Sequence, residues 1–141
     1  MLRLWVRPQS GAALAEQPRI EAVAGQGVRG DHAFGRKRHV TLVFEDDWTD
    51  AAATLGLDVD PAGRRANVLL SGGDGGRLVG HTIRIGEVVI DVKGVAAPCP
   101  VMDEAAHGMQ EALKPAARSG VWGRILAGGA IVPGDELRID A

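Results

Sequence analysis

The chain has 141 residues, 45% hydrophobic and 24% charged, and its 16 basic and 18 acidic side chains leave a net charge of −2. A chain of this length buries roughly two thirds of its unfolded surface, enough for one modest core, so it reads as one domain over 1–141 and not as a two-domain enzyme. The composition excludes disorder as the dominant state, and the scattered lysines Lys37, Lys93 and Lys114 argue against a whole-chain field for nucleic acid.

The first predicted strand is Leu2 to Arg7, closed by Pro8, and the second is Arg19 to Ala24, where Ile20, Ala22 and Ala24 alternate with polar or exposed positions. A glycine-rich basic loop from Gly25 to Lys37 leads into a β-branched strand, His39 to Phe44. Trp48, Ala51, Ala52 and Leu55 fall on one face of a helix over Asp46 to Leu55, which Gly56 stops. After a turn at Pro61 to Gly63, the sequence predicts a strand at Asn67 to Leu70, a flexible turn at Gly72 to Gly76, and a hairpin of Thr82 to Ile85 and Glu87 to Lys93. Pro100 can open a second helix running to Leu113, with Met102, Ala105, Ala106 and Met109 on one face and Cys99 at its N-cap. Val121 to Ala127, Ala130 to Val132 and Glu136 to Ile139 complete the pattern. With about eight short strands and two helices, the chain is mainly β (α+β) and predicts a partly closed barrel.

The single cysteine has no partner for an internal disulfide, the start MLRLWVRPQSG carries no long apolar leader, and no run reaches the length of a membrane span. These features predict a cytoplasmic protein with no membrane partner. Gly25 to Gly30 spells G-x-G-x-x-G, but no helix follows it to receive a pyrophosphate, so turns explain it better than dinucleotide binding.

Arg29, Arg36, Lys37, Arg38 and His39 crowd one loop, and Arg64 with Arg65 forms a second basic pair. A solvated face is the ordinary meaning of such runs. If folding brings them together, arginine forks suit a phosphate or carboxylate. His32, His39, His81 and His107 show no metal-binding spacing, so structural zinc is not expected. Asp31 and His32 are adjacent, and a turn aspartate beside a loop histidine is favoured over a ligand pair. Cys99 is by default a small buried hydrophobe, yet Pro98-Cys99-Pro100 sets it at a helix entry that favours thiolate, with Asp103 and Glu104 opposing. His107 lies too far along for a cysteine-hydrolase pair.

In chain order, VRGDHAFGRKRHVTLVFE (Val28 to Glu45), RRANVLLSG (Arg64 to Gly72), LVGHTIRIGEVVIDVKG (Leu78 to Gly94), APCPVM (Ala97 to Met102) and GVWGRILAGGAIVPGDELRI (Gly120 to Ile139) resemble the MOSC domain, the family named for the C-terminal part of molybdenum cofactor sulfurase. The resemblance implies a MOSC-type β-barrel that binds the molybdenum cofactor (molybdopterin). Cys99 is then the metal ligand and catalytic residue, or a persulfide carrier for cofactor sulfuration or metal-sulfur clusters. It also places Arg36, Arg38 and His39 on an anion-facing wall, Arg65 and Asn67 as supporting cofactor contacts, and Asp31 as a loop organiser or pocket residue.

The amidoxime-reducing relatives of that family imply a small N-oxygenated or N-hydroxylated substrate and an electron-donor reductase as partner. A cysteine desulfurase is the partner for sulfur carriage, and pyridoxal phosphate would belong to that separate protein alone. The rival from another class is a non-enzymatic binding module with a basic anion or nucleic-acid site, for which Phe34 is the sole aromatic in the basic loop.

Overall fold

The computed structural model describes residues 3–9 and 14–140. Its strands are β1 (Arg3–Val6), β2 (Ala15–Gln17), β3 (Ile20–Val23), β4 (Gly27–Val28), β5 (Val40–Phe44), β6 (Val68–Leu70), β7 (Thr82–Ile85), β8 (Val88–Val95), β9 (Val121–Ala127), β10 (Gly129–Ile131) and β11 (Leu137–Ile139), and its helices are α1 (Glu45–Thr54) and α2 (Met109–Ala112). Eight strands form an open sheet in the order β11-β7-β8-β9-β5-β6-β1-β2, and β10-β3-β4 form a second. The outcome is the mainly β, partly open barrel that the sequence predicts. Leu2, at the start of the first predicted strand, lies outside the described residues.

Strand β5 is the pivot. It pairs antiparallel with β9 and parallel with β6, in the register Leu42 opposite Val68. A parallel neighbour needs a crossover, and α1 with the 3-10 turn Pro61–Arg64 supplies it. Both faces of β5 are therefore covered, and all five of its residues are buried. Alternation sends Val40, Leu42 and Phe44 into the main core between the two sheets, and Val43 into a smaller cluster with Trp5, Ala66 and Leu69. A third cluster under α1 joins Trp48 and Ala51 to Met102, Met109 and Leu113. The close approach of β5 to the start of β9 depends on Gly120, whose φ of +97° is left-handed and where a Cβ would collide with the Leu42 carbonyl.

The structure corrects two expectations. Among the described residues there are eleven strands where about eight are expected, and two of them, β2 and β4, are unpredicted because they are too short to leave an alternating signal. The predicted helix from Pro100 to Leu113 is broken: a 3-10 turn spans Pro100–Glu104, Gly108 takes φ +94°, and only Met109–Ala112 are α-helical. Met102 and Met109 are buried as the apolar stripe predicts, whereas Ala105 is exposed. Among the described residues no helix is long and apolar enough to cross a membrane.

Candidate functional site

Arg7 leaves the end of β1 at the point where the chain from β4 returns past it, and the His32 amide donates to the Arg7 carbonyl at 2.7 Å. Asp31 ties this junction. Its carboxylate accepts from the Arg7 amide at 2.8 Å, the Arg7 guanidinium at 3.0 and 3.2 Å, the Ala33 amide at 3.1 Å and Asn67 Nδ2 at 3.1 Å. Burial alone would push this carboxyl up, but the hydrogen bonds and charge of Arg7 outweigh it and hold Asp31 below the usual carboxylate range. Asn67 extends the brace, donating to the Trp5 carbonyl at 3.3 Å and accepting from the Thr41 amide at 3.0 Å. Asp31 and Asn67 thus join β1, β5 and the start of β6.

Above this brace open two adjoining cavities of about 220 and 410 Å³ that share Arg7, His32, Arg64 and Cys99 in their walls. Arg65, Val101, Met102 and Glu104 complete the smaller, and Arg36, Lys37, Arg38 and Thr41 face the larger. Four segments distant in sequence therefore meet at one cleft. The Cys99 thiol is free and exposed, at the N-cap of the 3-10 turn but with no capping bond from its side chain.

Arg64 forms part of the floor. It ends the Pro61–Arg64 turn, which begins with Asp60 accepting from the Ala62 amide at 2.9 Å. Its residue is 7% exposed, its Nε donates to the Ser119 carbonyl, and its Nη2 donates to the Ala96 carbonyl at 3.2 Å. Burial pushes the guanidinium down to about 10, the Cys99 sulfur acts against that shift, and Arg7 and Arg38 add to it. The group still carries its charge at neutral pH.

Of the residues picked out from sequence, Cys99, Arg36, Arg38 and Arg65 line the cleft. Asp31 and Asn67 lie beneath it as bracing, and neither lines either of these two cavities. His39 is also set apart: it is 1% exposed, its Nδ1 accepts from the Ile125 amide at 2.9 Å, and its Nε2 is buried without a partner among the described residues. Burial, then the nearby Arg124 charge, pushes its pKa down, so it is a neutral β5–β9 clamp carrying its proton on Nε2. Arg38 and Lys37 lie over the Trp122 ring, 5.2 and 5.9 Å from its centroid.

Sequence reasoning missed Arg7 and set His32 aside. The available signal for Arg7 was an arginine leaving a strand in a chain with a buried loop aspartate, which becomes specific only once the register is known. His32 lines both cavities and its buried Nδ1 has no partner among the described residues.

The sequence model of the MOSC domain matches residues 29–138. No curated protein matches the chain by sequence. Among solved structures, the YuaD protein of Bacillus subtilis has a TM-score of 0.81 at 19% identity, with 96% of this chain and 91% of that one covered. YiiM from Geobacillus stearothermophilus has a TM-score of 0.75 at 18% identity, covering 99% and 74%. YiiM from Escherichia coli gives 0.69 at 18%, covering 100% and 71%. These likenesses show a shared fold.

Proposed function

This chain belongs to the MOSC domain family, and we propose that it binds the pterin-based molybdenum cofactor in the double cleft, with Cys99 as its sulfur ligand to the metal. The observation that carries this reading is the exposed Cys99 thiol on a wall shared by two cavities lined with arginine. The donor set fits. Among the described residues no group of three His, Cys, Asp or Glu could hold a metal by itself. A metal that arrives with the dithiolene sulfurs of its own cofactor needs only one soft protein donor, and a cysteine is that donor.

Arg36, Lys37 and Arg38 on the larger cavity supply cations for the cofactor's phosphate, with Arg65 on the smaller one. Asp31 and Asn67 hold Arg7 and the strand ends in place beneath them. When bound, the cofactor supplies two-electron removal of oxygen: an N-hydroxylated substrate takes electrons from a separate reductase and protons from water, its N–O bond breaks, an N–H bond forms, and the oxygen leaves as water. The chain's part is to place that substrate beside Cys99, between the apolar Val101 and Met102 and the basic floor. A cytoplasmic setting suits a thiol that must stay reduced.

The exposure of Cys99 also favours a second reading, sulfur carriage. Its thiolate would attack the terminal sulfur of a cysteine desulfurase persulfide, forming the new S–S bond on Cys99 and releasing the donor's thiolate. The pyridoxal phosphate stays with the donor.

The test is the metal and sulfur content of the chain made in cells that produce the cofactor, beside Cys99→Ala. Stoichiometric molybdenum that disappears in the variant is expected. Molybdenum retained by Cys99→Ala overturns the ligand role, and a persulfide without molybdenum selects the carrier. Binding of an oligonucleotide with a steep salt dependence, and of no cofactor, selects the non-enzymatic module.

A further inference from the structure

The cleft holds more positive charge than its carboxylates offset. Arg7 is matched by Asp31. Among the described residues the larger cavity has no acidic side chain in its wall, and the smaller has Glu104 alone. The exposed cations are hydrated at little cost, but Arg64 is not in that position. Its guanidinium is buried, is bonded to the two carbonyls of Ser119 and Ala96, and forms no ion pair among the described residues. Burying an unpaired charge is expensive, and neutral carbonyls return only part of the lost hydration. Two carbonyls also leave several of its five N–H donors unspent, in a residue that forms part of both cavity walls.

His32 adds an independent sign of a missing partner. Its Nδ1 is buried and has no hydrogen-bond partner among the described residues, in a residue that lines the same two cavities. In the tautomer that carries its hydrogen on Nδ1, that nitrogen donates to an oxygen.

We infer that the floor of the cleft is a receptor for an oxyanionic group on the substrate, a carboxylate or a small oxyanion, held by Arg64 beside Cys99. This deepens the reading of Cys99 as the metal ligand beside which the substrate is placed, and rests on it. The cofactor's own phosphate has the exposed Arg36, Lys37 and Arg38 to meet it, which leaves the buried fork for the group that arrives with the substrate. A planar fork at fixed depth accepts two oxygens of one group side by side, so the site selects substrates that present an oxyanion near the reacting atom.

The experiment uses Cys99 as its own reporter in the chain free of cofactor. Iodoacetate and iodoacetamide both alkylate the sulfur with loss of iodide, but only iodoacetate brings a carboxylate. The expected result is a preference for iodoacetate over iodoacetamide about tenfold above that of free cysteine, the scale of one charge-assisted hydrogen bond. The iodoacetate rate should saturate, and sulfate should protect beyond chloride at equal ionic strength.

Arg64→Gln should erase the preference, and Arg19→Gln, a substitution outside the cleft, should leave it in place. If Arg64→Gln fails to fold, saturation and sulfate protection in the natural chain decide, together with selective shifts of the Arg64 Nε signal on sulfate addition. A preference equal to that of free cysteine overturns the inference, as does one kept without Arg64. Calorimetric titration of sulfate into the cofactor-loaded chain separates the two sources of an oxyanion. Binding that survives loading assigns the floor to the substrate, and binding abolished by loading gives it to the cofactor phosphate and overturns the assignment. The alkylation arms need no molybdenum, so they stand or fall apart from the metal-ligand reading.

Discussion

The stretch from Asp31 to His39 contains two populations of polar side chains with opposite surroundings. Asp31 and His39, at its ends, are buried and bonded to the frame, to Arg7 and Asn67 in one case and to the β9 backbone in the other. Arg36, Lys37 and Arg38, between them, are exposed and form no ion pairs among the described residues. Neighbours in sequence thus divide into a frame that fixes where the strands end and a wall able to meet a ligand. A basic loop does not have to be uniformly a site or uniformly a solvated surface. What decides each residue is whether its polar atoms are already committed.

Substitutions can break that division, and the frame should respond most. Asp31→Ala leaves the Arg7 guanidinium and Asn67 unsatisfied over the buried junction, and should cost about 3–5 kcal/mol in urea unfolding, the scale of breaking a buried pair. Asn67→Ala removes three bonds to a neutral group and should cost about 1–3 kcal/mol. The double variant should lose less than the sum, since the two side chains share a bond. A full sum would show that they act independently.

The pH dependence should follow the same frame. The folded pKa of His39 is lowered, so as pH falls below about 6.5 the unfolded chain binds a proton that the folded chain refuses, and stability declines. Asp31 adds a second limb: its stabilisation is complete above its unfolded value of about 4 and is lost as pH falls through the lower folded value. Denaturation followed against pH should show both limbs, with His39→Gln flattening the first and Asp31→Ala the second.

The wall should respond least in stability and most in binding. Arg36→Ala should change unfolding by no more than about 0.5 kcal/mol while weakening inorganic phosphate binding and flattening its salt dependence. Arg38→Ala should lose in addition about 0.5–1 kcal/mol from its contact with the Trp122 ring. An Arg36 variant as unstable as Asp31→Ala would erase the distinction between frame and wall.

The sheet class, α1 and most strands were legible because their apolar residues keep one period from end to end, as in Val40, Leu42 and Phe44. The second helix was misread because Met102 and Met109 are buried from two separate short turns, and burial at that spacing does not require one continuous helix. Cys99 and the exposed arginines could be found from motif order. Asp31, His39 and Asn67 stood in the right motifs, but their depth depends on pairings across β1, β5, β6 and β9 that local pattern does not encode. The burial of Arg64 follows from the same cause, since its partners Ala96 and Ser119 come from far along the chain.

That dispersal also governs time. The hairpin of β7 and β8 closes over the single turn at Gly86, whereas the cleft waits for β1 to reach β6, β5 to reach β9, and the Cys99 loop to come down over Arg64. Contacts of such long sequence separation form slowly. The pocket is therefore expected to form after the local hairpin, and ligand capture to follow assembly of the long-range pairs. Once captured, a ligand that recognises only the assembled cleft slows the reverse path, so residence of that ligand and lifetime of the fold should rise together.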